Sequence, residues 1–267
     1  MPLTSFVPHV PLSEYQERLK EHFVMERTNG VLEVRMHTRG GEAVFGFELH
    51  RALHQMLQAV GQDPENEVMI LTSTGTTWIN QYDQESFETQ GRDAEAYRKT
   101  HYDMWYADAN KLIDTLLWQI DIPLIGAING PGFHIELPLL CDLTIATDDT
   151  RFMDPHFFMG VVPGDGQFLI YQNLIGLKRA NHMMYLNNGI SAQEALEWGL
   201  VGEILPRADL LPRAREMAQA IMSQDRSIRR LTAQVARRRW KRLFTDDFSM
   251  HVTHEMYGAH LSRIRVD

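Results

Sequence analysis

His156 and Asp165 are the pair from which chemistry is most directly built in this sequence. An imidazole that titrates near neutrality can take a proton from water and return it, and a carboxylate on its far ring nitrogen fixes the tautomer and steadies the imidazolium. Twelve histidines in 267 residues also make a chance His and Asp neighbourhood unremarkable, so spacing alone favours a structural hydrogen bond over a catalytic pair. Asp154 precedes Pro155 and reads either as an ordinary turn residue or as a further acid beside His156. His134 follows the turn Asn129-Gly130-Pro131-Gly132 and is either presented to a ligand or starts a helix. Glu255 is either an exposed charge on an amphipathic helix or a third functional carboxylate. His251 and His254 are three apart rather than four, and no Cys/His cluster accompanies them, so neither a metal site nor a cofactor is expected.

These residues need a scaffold, and the hydrophobic pattern outlines one. Val31 to His37 alternates apolar and polar positions just after an Asn29-Gly30 turn, which predicts a strand, as do the apolar runs Val68 to Thr72 and Leu124 to Ile128. Phe47, Leu49, Leu53, Met56, Leu57 and Val60 recur at helical spacing between the first two. A long amphipathic helix is predicted over Asp93 to Gln119, a short one over Glu136 to Leu140, and strands at Leu143 to Ala146 and Arg151 to Met153. Alternating strands and helices argue for an α/β fold. Beyond Gly164 the strand pattern almost disappears, and helical patterns run on to Leu261. The expected organisation is therefore a core over residues 1–190 and a helical region over 191–267.

Composition narrows the partners. A formal charge of -9 disfavours nucleic acid and anionic membranes, and a small, weakly charged molecule is the expected ligand. The basic stretch from Arg226 to Arg242 carries Ile228, Leu231, Val235 and Leu243 at helical spacing, so it reads as a helix packed through those apolar residues. No run is long enough to span a membrane. The single Cys141 and the absence of a basic n-region in Met1 to Val10 lead to an expectation of a reducing, cytoplasmic setting.

Three stretches in order resemble the crotonase, or enoyl-CoA hydratase/isomerase, superfamily. They are Ile125-Gly126-Ala127-Ile128-Asn129-Gly130 with Cys141-Asp142-Leu143, then Phe152-Met153-Asp154-Pro155-His156 with Gly160-Val161-Val162-Pro163-Gly164, then Ser191-Ala192-Gln193-Glu194-Ala195 with Gly199-Leu200-Val201. The resemblance implies a spiral of strand-strand-helix turns closed by C-terminal helices, assembled as a trimer or a pair of trimers through residues 191–267. Family members acting on CoA thioesters carry consecutive glycines where this chain has Gly132-Phe133-His134-Ile135, and hydratases carry a glutamate where it has His156. Those departures resemble the β-diketone hydrolase branch, whose functional positions match His134, His156 with Asp165, and Glu255. A tryptophan of that branch corresponds to Phe45.

The activity so implied is retro-Claisen hydrolysis of a β-diketone without a cofactor, water being activated by His156 with Asp165. His134 would stabilise charge on a substrate carbonyl, and Glu255 would polarise His134 or help place the water. Phe45, Trp78, Phe133 and Phe157 suggest an apolar pocket for an alicyclic substrate. Two other functions stay open at this point: CoA-dependent hydratase, isomerase or thioester hydrolase chemistry, and a non-catalytic binding protein using the arginine-rich helix.

Overall fold

The Asn29-Gly30 pair, with φ of 51° and 85°, closes a hairpin between β1 (Phe23–Thr28) and β2 (Val31–Met36). β1 is the strand that the sequence reading passed over, because its charged outer positions weaken the alternation. From β2 onward the chain builds a succession of parallel strands, β4 (Val68–Ser73), β6 (Leu124–Ile128) and β7 (Leu143–Thr147). With β10 (Glu203–Leu205) these form one six-stranded sheet in the order β1-β2-β4-β6-β7-β10, in which only β1 runs antiparallel. The expected crotonase-like α/β spiral is thus what the chain forms. The structure is a computed structural model that describes residues 8–89, 94–186 and 188–262, so most of Met1 to Val10 and the start of the Asp93 helix lie outside it.

β4 and β6 are buried at every position, which explains their unbroken apolar runs. One face of the sheet packs on the helix Phe47–Gln62, whose predicted stripe is buried along its length. The other face packs on the helix Arg207–Met222 through Leu210, Ala214 and Ala218. Residues 94–119 are helical throughout, with two wider π-type stretches at His101–Asp108 and Thr115–Gln119. Two small ribbons stand apart from the main sheet. β3 (Val44–Phe45) pairs with β5 (Gln81–Tyr82), and β8 (Arg151–Phe152) pairs with β9 (Ile190–Ser191). They are too short for periodicity to reveal. β9 and β10 also carry strand structure past residue 190, so the C-terminal segment shares the main sheet as well as adding helices.

The arginine-rich helix is turned opposite to expectation. Ile228, Leu231 and Val235 are 52%, 64% and 74% exposed, whereas Arg229 and Arg237 are buried. The reason is that carboxylates and carbonyls wait beneath it. Arg229 pairs with Glu67, Arg230 with Asp121, and Arg237 binds Asp142 and the carbonyls of Ile120 and Ile122. Guanidinium groups paired with carboxylates and carbonyls can be buried where an isolated charge could not. Leu243 alone of the predicted apolar face packs on the core.

Candidate active site

The turn after β6 passes so close to the preceding crossover that only glycine fits. A Cβ on Gly130, where φ is +155°, would lie 1.9 Å from the Thr76 carbonyl, and one on Gly132 would lie 2.5 Å from that of Ile79. The next side chain able to do chemistry, His134, sits at φ +55°, a left-handed conformation that a non-glycine residue adopts only when held there. The Trp78 indole N–H donates to the His134 carbonyl at 2.9 Å, and the backbone N–H of Ile135 donates to Gln167 Oε1 at 2.8 Å. The imidazole then stacks on Phe45, with centroids 3.7 Å apart.

His156 opens a single 3-10 turn, His156–Met159, after Asp154-Pro155. Asp154 folds back on it. Its Oδ1 accepts the backbone N–H of His156 at 3.1 Å and lies 2.5 Å from ring Nδ1. Asp165, fixed by the backbone N–H of Gln167 at 2.9 Å, brings Oδ2 to 3.4 Å from His134 Nδ1 and 3.8 Å from His156 Nε2. The tautomer-fixing hydrogen bond therefore belongs to Asp154, the turn residue, and Asp165 stands as a counter-charge between the two rings. Glu255 is buried on the helix Ser249–Leu261, which approaches closely because Gly164 leaves it no Cβ to meet.

Burial favours neutral imidazoles, yet the surrounding carboxylates outweigh it. His156 is pushed up to about 10, mainly by Asp165 and Asp154, and His134 up to about 9 by Glu136 and Asp165. Asp165 is buried too, but the two rings hold its carboxyl well below the usual range. For Glu255 burial wins and the carboxyl rises to about 8, with Asp165 adding to the rise. The arrangement is a proton-holding network rather than an isolated dyad.

The network forms one end of a cavity of about 460 Å3, whose walls include Phe45, Phe47, Met104, Trp105, Met159 and Val252. His134, His156, Asp165 and Glu255 all line it, so the four expected chemical residues are brought together. Of the expected aromatic lining only Phe45 reaches it. Trp78 is fully buried and serves the His134 carbonyl, Phe133 backs the wall by stacking on Tyr82 at 4.1 Å, and Phe157 is 46% exposed against Tyr185. The sequence reading missed Glu136, Gln167, Tyr82 and His50. His50 occurs within an apolar helical stripe, and Gln167 carries no motif at all.

Three ligand-capable atoms come within 4.8 Å of one another in each of two groups, His134-Glu136-Asp165 and Asp154-His156-Asp165. Either could hold a divalent ion, and sequence spacing did not show it because the residues come from separate segments. The raised imidazoles supply positive charge to the same carboxylates.

The enoyl-CoA hydratase/isomerase family model matches residues 26–256. A β-diketone hydrolase from the cyanobacterium Anabaena sp. PCC 7120, solved bound to (S)-3-oxocyclohexyl acetic acid, superposes with a TM-score of 0.86 at 32% identity, covering 95% of this chain and 100% of that one. An enoyl-CoA hydratase/isomerase from Mycobacterium paratuberculosis, at 21% identity, shares the fold with a TM-score of 0.80 over 89% of this chain and 93% of its own. Among curated proteins, carnitinyl-CoA dehydratase of Escherichia coli K12 is 29% identical over 164 residues, 60% of this chain and 59% of its own length. The same enzyme from Salmonella enteritidis is 26% identical over 208 residues, 77% of this chain and 76% of its own.

Proposed function

This chain belongs to the enoyl-CoA hydratase/isomerase family, and from that premise we propose that it is a hydrolase cleaving a carbon–carbon bond of a cyclic or bicyclic β-diketone. One observation carries the reading. Within an apolar cavity, His156 has Nδ1 bound to Asp154 and Nε2 turned toward Asp165, while His134 stands nearly perpendicular with its ring centroid 6.3 Å away. A base and an acid thus flank one small space. The Anabaena hydrolase supports the substrate class, because its bound keto acid is what hydrolytic opening of a bicyclic β-diketone leaves.

In this account the neutral form of His156, whose share grows as pH rises toward about 10, removes a proton from water at Nε2, and the hydroxide adds to one carbonyl carbon. His134 donates to the oxygen on which charge develops, a type of contact worth about 3 kcal/mol of barrier. The tetrahedral adduct collapses, the carbon–carbon bond breaks, and its electron pair becomes an enolate with the second carbonyl. The proton held on Nε2 then passes to the enolate carbon, so that one diketone and one water give one keto acid. Asp154 stabilises the imidazolium in the interval, and Asp165 and Glu255 set how readily protons leave the network. No step calls for CoA.

The family and the carnitinyl-CoA dehydratases favour a second reading, CoA thioester chemistry. Against it, the segment that would bring backbone N–H groups to a thioester carries Phe133 and His134, and the His134 ring lines the cavity. The two are separated by supplying bicyclo[2.2.2]octane-2,6-dione and, separately, crotonobetainyl-CoA. Loss of the diketone with appearance of 3-oxocyclohexyl acetic acid, abolished by His156→Ala, supports the hydrolase; turnover of the thioester alone overturns it. The reading includes assembly as a trimer or pair of trimers, supported by the exposed Ile228, Leu231 and Val235. It also places the protein in a reducing compartment, which fits its single, buried Cys141, and among the described residues no helix is long and apolar enough to cross a membrane.

A further inference from the structure

A β-diketone presents two carbonyl oxygens, and the network just described addresses one of them through His134. The second must also meet a donor, because an oxygen that collects enolate charge in an apolar cavity gains nothing from its walls. His50 lines the cavity from the first turn of the helix Phe47–Gln62. Its backbone N–H donates to the Gly46 carbonyl at 3.0 Å, and its ring makes no hydrogen bond to any described residue. The ring packs edge-on against Phe45 at 5.8 Å, and the His134 imidazole is stacked on the same phenyl ring at 3.7 Å. Both imidazoles therefore contact one phenyl ring, and both line the same cavity.

We propose, resting on the hydrolase reading, that His50 is a substrate-binding residue whose ring N–H donates to the diketone carbonyl that becomes the enolate oxygen. Burial, reinforced by the nearby His134 charge, lowers the His50 pKa to about 4, so the ring is neutral and offers one donor and one acceptor at working pH. That distinguishes it from His134 and His156, which the carboxylates hold charged. A neutral donor suits this oxygen. It steadies the enolate without delivering a full proton to oxygen, and so leaves the carbon to be protonated from His156. The same contact selects substrates. The site favours apolar molecules bearing two oxygens on one edge, and a monoketone of equal size leaves the His50 donor unused.

The test compares wild type, His50→Leu and His50→Gln in two measurements: hydrolysis of bicyclo[2.2.2]octane-2,6-dione, and calorimetric binding of 1,3-cyclohexanedione set against cyclohexanone. Leucine removes the donor and glutamine restores one. The expected result is a loss of kcat/KM of about 100-fold in His50→Leu, within the range seen for a lost oxyanion donor. His50→Gln should keep most of the activity, and the preference for dione over monoketone should vanish only in His50→Leu. Melting temperatures and the binding data distinguish misfolding from loss of the contact. Hydrolysis by His50→Leu within twofold of wild type overturns the His50 contact and leaves the hydrolase standing. If wild type hydrolyses no diketone yet its preference for the dione depends on His50, the reaction falls and the contact survives. Absence of both activity and dione preference in wild type overturns both.

Discussion

Replacing Asp154 by Asn probes the least expected feature of the site, a turn residue that holds the base. Asp154 is 2% exposed, and its Oδ1 serves both the backbone N–H and the ring Nδ1 of His156, the latter at 2.5 Å. An asparagine of the same shape keeps the turn, because its carbonyl still accepts the backbone N–H. It removes the charge from the ring contact, and if its amide turns toward Nδ1 it donates there and places the proton on Nε2, where the base is needed. Hydrogen bonds to a charged partner are worth about 1.5–3 kcal/mol, which corresponds to about 10- to 150-fold in rate. The substitution should lower kcat/KM for the diketone by about 100-fold at pH 8. It should also move the ascending limb of the pH profile toward lower pH, since Asp154 is one of the charges raising His156 to about 10. Initial rates from pH 6 to 10, with melting curves at each pH, measure both effects. An Asp154→Asn protein within threefold of wild type and with an unmoved limb, beside a collapsed Asp165→Asn, would refute the assignment and return the orienting role to Asp165.

Three further outcomes are expected. His134→Asn should cost about 100-fold in kcat/KM, and because His156 is freed as a base only toward about 10 while His134 loses its proton near 9, the levelling and fall of the wild-type profile above pH 9 should be missing from the variant when rates are followed to pH 11. Folded-state values raised above the unfolded 6.5 for His134 and His156 contribute stability that is present below pH 6.5 and is lost as pH rises through about 9 and 10. Glu255, raised to about 8 from 4.5, has its corresponding contribution below pH 4.5 and loses it on the way to pH 8. The melting temperature should therefore fall between pH 7 and 10, and less steeply in a His134→Asn/His156→Asn double variant. Val235→Glu, at a position 74% exposed, should leave the fold intact but reduce the assembly measured by light scattering.

The sequence carried the scaffold where periodicity was long: the strands β2, β4, β6 and β7 and the helix Phe47–Gln62 are all visible as patterns. It hid the two-residue ribbons β3-β5 and β8-β9, although these set Phe45 and the approach to His156. The arginine-rich helix misled for an instructive reason. Helical spacing identifies an apolar face but not which way it points, and half-buried carboxylates such as Glu67 and Asp142 drew the guanidinium face inward. At the site, His134, His156, Asp165 and Glu255 were nameable through family resemblance, whereas their hydrogen bonds were not. Asp154 was legible as a turn residue or a further acid with nothing to choose between them, because bonding at i to i+2 looks the same in sequence whether it shapes a turn or a base. Trp78 was drawn toward the pocket by its type alone, and its indole instead fixes the left-handed backbone of His134.

The central claim is that water is added across a carbon–carbon bond, and isotopic labelling reads that addition most directly. Bicyclo[2.2.2]octane-2,6-dione is incubated with the protein in water enriched in oxygen-18, and the carboxyl group of the product is analysed by mass spectrometry. The account predicts 3-oxocyclohexyl acetic acid with one solvent oxygen in its carboxyl group, formed by wild type and not by His156→Ala. An unchanged diketone after prolonged incubation, or labelled acid formed equally by His156→Ala, would contradict it.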